Sequence, residues 1–200
     1  MCRAFVRHAL DVSVLWEDTV NRTRIILMSV AATGAAVIGL GAVAAAHDDG
    51  GPPRRLTGYQ EVPALSTPGV GEFKASLSPK GDAISYRLTF SGLESNATQA
   101  HIHFENRTNS GPVVVFLCSN LGNGPAGTQA CPAAGGTITG TITAADMGNF
   151  GAAAQGLAPG EFGEFVKAIR AGATYVNVHS TTRPAGEIRA QLTGLSGNKH

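Results

Sequence analysis

Four side chains in this sequence stand at spacings that bring them onto common faces. Ala100-His101-Ile102-His103 sets two imidazoles two residues apart. In an extended strand alternate side chains leave the same face. Tyr175-Val176-Asn177-Val178-His179 repeats the pattern, with Asn177 and His179 on one side and two valines on the other. If the two strands meet, His101, His103 and His179 converge as nitrogen donors of the kind that suits Zn or Cu. A shared ion would need their ring nitrogens about 3–4 Å apart around one point. Asn177, Glu187 and Arg189 are the expected neighbours of that group. Two other readings use the same residues. Histidines in tight β folds often satisfy buried polar groups, with Glu187 and Arg189 close in sequence as partners, or one imidazole serves as a general base.

Other chemistry is thinly represented. There is no Gly-x-Ser-x-Gly elbow, His-Glu-x-x-His pair, dinucleotide fingerprint or P-loop. The carboxylates are scattered, and no catalytic set is assigned. Asn96-Ala97-Thr98 and Asn106-Arg107-Thr108 are sequons.

The elements that must position these residues read as short strands between turns. A first strand is expected over Leu56–Glu61, ended by Val62-Pro63. Gly71–Ser78 and Ala83–Ser91 alternate apolar and polar residues around Pro79-Lys80-Gly81-Asp82, the clearest hairpin in the chain. Gln99–Glu105 follows, then the continuous apolar run Pro112–Cys118, which predicts burial on both faces. Gly136–Thr143, Thr174–His179 and Glu187–Leu192 complete the set, the last two joined by Arg183-Pro184-Ala185-Gly186. Phe150–Ala171 is the stretch with helical potential, because Phe162, Phe165, Val166 and Ile169 fall at helical spacing before Gly172. The expected fold is all-β, an antiparallel β-sandwich or Greek-key barrel with one short helix.

The N-terminus points to export. Arg22 and Arg24 precede an apolar run from Ile25 to Ala46 that ends in Ala44-Ala45-Ala46, a signal-peptidase pattern with cleavage after Ala46. Kept uncleaved, that run is long enough to anchor the chain in a membrane. Asp11, Glu17 and Asp18 are unusual in a signal n-region, which places the expected initiator at Val20 or Met28. The organisation predicted is a prefix and signal over 1–46, a linker over 47–55, one domain over 56–193 and a tail over 194–200. Residues 1–46 hold four of the 15 basic and three of the 14 acidic residues, leaving 11 of each. That balance offers nucleic acid no attraction. Cys2 falls in the prefix, so Cys118 and Cys131 remain as an even pair, expected as a disulfide in an oxidising compartment.

Four ordered blocks carry a resemblance. Leu56-Thr57-Gly58-Tyr59-Gln60-Glu61-Val62-Pro63, Ala100-His101-Ile102-His103, Tyr175-Val176-Asn177-Val178-His179-Ser180 and Pro184-Ala185-Gly186-Glu187-Ile188-Arg189-Ala190-Gln191-Leu192 resemble the CHRD domain, the module named after chordin and found also in secreted bacterial proteins. The resemblance covers about Arg55–Leu192 and implies a β-sandwich-like extracellular module. The resemblance fixes the fold more than the function, and the expected function is that of a non-enzymatic binding module, secreted or in the periplasm or cell envelope, with a protein or small ligand as partner. The two histidine segments are also similar to the copper-holding strands of Cu/Zn superoxide dismutases. By that likeness His101, His103 and His179 would be copper ligands, whereas the bridging histidine, the zinc loop and the anion-guiding arginine have no counterpart. The alternative function is therefore Cu or Zn binding without dismutase activity.

Overall fold

The computed structural model describes residues 52–195. The signal segment 1–46 with its cleavage after Ala46, the starts at Val20 and Met28, most of the linker and tail, and His47 and His200 lie outside the described residues. Among the described residues no helix is long and apolar enough to cross a membrane.

Eight strands form one antiparallel sheet: β1 Arg54–Thr57, β2 Val70–Leu77, β3 Ile84–Ser91, β4 Ala97–Phe104, β5 Val113–Ser119, β6 Gly136–Ile142, β7 Thr174–Ser180 and β8 Ile188–Leu192. Their order is β5-β4-β7-β8-β1-β2-β3-β6, and the sheet curls until it is nearly closed into a barrel. The ends are bridged by a side chain: Gln129 Nε2 donates to Leu117 O of β5 at 3.0 Å and to Thr139 O of β6 at 3.2 Å. Around the barrel β6, β5, β4 and β7 follow one another as a Greek key. The expected all-β class holds, realised as a single curled sheet.

Alternation decides what faces inward. The hairpin pairs Phe73 with Leu88, and Leu88 with Ile138 of β6. Across the barrel Ile102 pairs with Val115 and Val176, and Val176 with Ala190. All are buried in one core, where a side chain of this size contributes about 1.5–3 kcal/mol. Every residue of β7 and of β8 is buried, so these strands are covered on their outer face as well. Val114, Val115, Leu117 and Cys118 are buried although β5 ends the sheet.

Most strands lie within two residues of expectation, and two elements depart further. The strand expected over Leu56–Glu61 starts earlier and ends at Thr57, and Gly58–Gln60 is a 3-10 turn. A Cβ at Gly58 would lie 2.6 Å from Leu65 O, so the chain folds back on itself there instead of extending. The stretch 150–171 is helical only in part, with a 3-10 turn over Ala152–Gln155 and α1 over Phe162–Arg170. Gly156 and Gly160, both at positive φ, lie between them. Helix α1 buries Phe162, Phe165, Val166 and Ile169 as their spacing predicts. It ends where Gly172 takes φ +73°, with Ala173 N donating to Ala168 O.

Candidate functional site

The register of β4, β7 and β8 assembles the polar residues on the outer face of the sheet. His101 stands opposite Asn177 and Asn177 opposite Arg189, while His103 stands opposite Tyr175 and Tyr175 opposite Gln191. His179 faces Gln99. Because side chains alternate, this whole set shares the face away from the apolar core. His101, His103 and His179 are buried, at 2%, 7% and 6% exposure.

The three imidazoles converge as expected. His101 Nδ1 lies 3.2 Å from His179 Nε2, and one nitrogen from each ring lies within 4.8 Å of the others. The closest pair falls inside the span expected for a shared ion, and the widest is slightly beyond it. Backbone carbonyls set the tautomers. His103 Nδ1 donates to Gly111 O at 2.9 Å and His179 Nδ1 donates to Pro184 O at 3.0 Å. Each ring then turns an Nε2 lone pair away from its anchor, and His101 Nδ1–H donates to that of His179. His103 Nε2 and His101 Nε2 are buried without a hydrogen-bond partner.

Burial keeps all three neutral. Desolvation, with repulsion from His179 and His103, lowers His101 to about 2. Desolvation outweighs the Gly111 hydrogen bond and lowers His103 to about 4. His179 falls to about 4 for the same reason, against its bond to Pro184. Neutral imidazole is the ligating form, whereas bases this weak are poorly matched to general-base chemistry near neutral pH.

The neighbours do different jobs from those expected. The Glu187 carboxylate accepts from Thr67 Oγ1 at 2.6 Å and from Glu94 N at 2.8 Å, so it pins two loops. Arg189 donates to Asn109 O and Asn106 O, both at 2.9 Å, and its guanidinium sits 3.4 Å from the Tyr175 ring centroid. Tyr175 in turn stacks on His103, with centroids 4.7 Å apart and planes 1° from parallel. Asn177 Nδ2 donates to Glu61 Oε1 at 2.8 Å. Burial lifts Glu61 to about 7, with Arg189 opposing and Glu187 assisting.

Tyr175, Glu61 and the carbonyls of Gly111 and Pro184 are the parts that sequence reasoning missed. Tyr175 shares the parity of Asn177 and His179, which was signal enough to find it. The two carbonyls carry no residue-type signature.

The sequence model of the CHRD domain matches residues 53–192. The chain belongs to the CHRD domain family. The matched span begins one residue before β1 and ends on the last residue of β8, so the CHRD domain here is the barrel itself. No curated protein and no solved structure matches the chain. CHRD domains are of extracellular type, and Cys118 is joined to Cys131, which together favour an oxidising compartment.

Proposed function

We propose that this protein is an exported CHRD module whose barrel binds a single Cu or Zn ion through His101, His103 and His179, without catalysing a reaction. One observation carries the reading: two of the converging imidazoles donate their far nitrogen to a backbone carbonyl, at Gly111 and Pro184. That is how metal-ligating histidines are held, since the anchor fixes both tautomer and ring orientation. A buried polar nitrogen without a partner costs about 1–3 kcal/mol. A bound ion relieves that cost where the nitrogen presents a lone pair. Export is supported by the disulfide, by the extracellular character of the family and by the signal pattern over 1–46.

The test is metal analysis of the full chain expressed with its signal into a periplasm, beside the His101→Ala/His103→Ala double variant. Close to one equivalent of Cu or Zn is expected in the parent, and none in the variant. Equal metal content in the two would return the histidines to a purely structural role.

A further inference from the structure

The charge of the cluster restricts which ion it can take. Among the described residues the group that could hold an ion consists of the three histidines, with no carboxylate or thiolate among them. Imidazole ligates as the neutral ring, so the cluster brings no charge of its own to an ion. Two donate Nδ1–H to carbonyls, and the His101–His179 contact needs a lone pair on one side. An ion bound there keeps its full charge, in a place where the ligands are at most 7% exposed.

Nearby charged groups do not supply the missing anion. The Arg189 guanidinium lies on the far face of Tyr175, one aromatic ring away from His103. It opposes a dication twice as strongly as a monocation. Glu187 binds Thr67 and Glu94 N through Oε1 alone, its Oε2 is buried without a partner, and it stands outside the group that could hold the ion. Glu61 meets the cluster only through Asn177.

We propose that the site selects copper in its +1 state over Zn2+ and Cu2+, an inference that rests on the metal-binding reading above. The cost of burying an uncompensated ion rises with the square of its charge, so a dication pays about four times what a monocation pays. Zn2+ also takes four ligands in closed sites, and three histidines leave it one short. Cu+ shares the filled d shell of Zn2+ but carries half its charge, so three neutral nitrogen donors leave less to compensate. Divalent ions gain here only if they bring an anion or a water with them into a nearly closed space.

Equilibrium competition under anaerobic conditions decides the matter, using the full chain and each of Cu+, Cu2+ and Zn2+ against a chelator of known affinity. One Cu+ per chain is expected, and a Zn2+ excess of about 100-fold is expected not to displace it. If Zn2+ or Cu2+ displaces Cu+ at equal concentration, selection of the +1 state is wrong while the three-histidine site stands. If no ion binds, the metal reading itself falls. Arg189→Gln and Arg189→Lys test the electrostatic cause, because lysine keeps the charge that glutamine removes. The Cu+ to Zn2+ affinity ratio is expected to narrow about tenfold in the glutamine variant and to hold in the lysine variant. An unchanged ratio in a folded Arg189→Gln protein overturns the charge argument. Should both variants fail to fold, the competition on the parent chain still decides.

Discussion

At the scale of single residues, four buried titratable groups give the barrel a directional dependence on pH. Folded His103 and His179 sit at about 4 and His101 at about 2, below the ordinary 6.5. Below pH 6.5 the unfolded chain therefore takes up protons that the folded chain refuses, and stability falls as the pH drops. Glu61 works the other way. Its folded value of about 7 exceeds the ordinary 4.5, so its contribution is full below pH 4.5 and is lost as the pH rises through 7. Three histidines outweigh one glutamate. Near pH 5.5 the metal-free protein should lose about 2–3 kcal/mol per pH unit of acidification, measured by urea unfolding. Glu61→Gln keeps an acceptor for Asn177 but removes the opposing titration, so its acid slope between pH 4.5 and 7 should be steeper than the parent's. Equal slopes would show that Glu61 titrates normally in the folded barrel.

At the scale of elements, the site is made by register and by one loop. Pairing β4 with β7 brings His101, His103 and His179 together, and a shift of one residue would send His101 and His103 to the core side. The segment after β4 then returns across the outer face, held by Arg189 at Asn106 O and Asn109 O, until Gly111 meets both His103 and Tyr175. Gly111 has no room for a side chain there, because a Cβ would fall 2.2 Å from Phe104 O. Gly111→Ala should therefore cost about 1–3 kcal/mol and loosen the His103 ring. Unfolding midpoints and the exchange broadening of the His103 imidazole resonances measure the two effects. An alanine variant with parental stability and a sharp His103 signal would mean that the loop shifts at no cost. The β2–β3 hairpin was readable beforehand because eight residues on each side alternate cleanly. The first strand is not legible in the same way because it is only four residues long, too short to show a period, and the fold-back at Gly58 depends on contacts with Leu65 and Thr67.

At the scale of the whole molecule, the barrel depends on how its open edge is managed. Strands β5 and β6 end the sheet, and the chain joining them is shortened by the Cys118–Cys131 disulfide and laid over the gap, where Gln129 reaches both edges. Replacing both cysteines by alanine should cost about 3 kcal/mol through the freedom restored to the unfolded loop. A lowered melting temperature with the antiparallel β signature intact in circular dichroism is the expected reading, and an unchanged melting temperature would show that the edge is held without the bond. The pairing of these cysteines, the all-β class, the inward and outward faces of the longer strands and the histidine parities were all determined by the amino-acid sequence, since each depends on local periodicity or on simple counting. The CHRD resemblance was legible for the same reason, as ordered blocks of residue types. Which strand lies beside which was decided only by the tertiary structure. Pairing between β4 and β7 joins residues 78 apart in the chain at the His101–His179 contact, and no local pattern encodes that distance. The carbonyls of Gly111 and Pro184 became anchors by the same route: every residue carries a carbonyl, and only folding determines which two face the imidazoles.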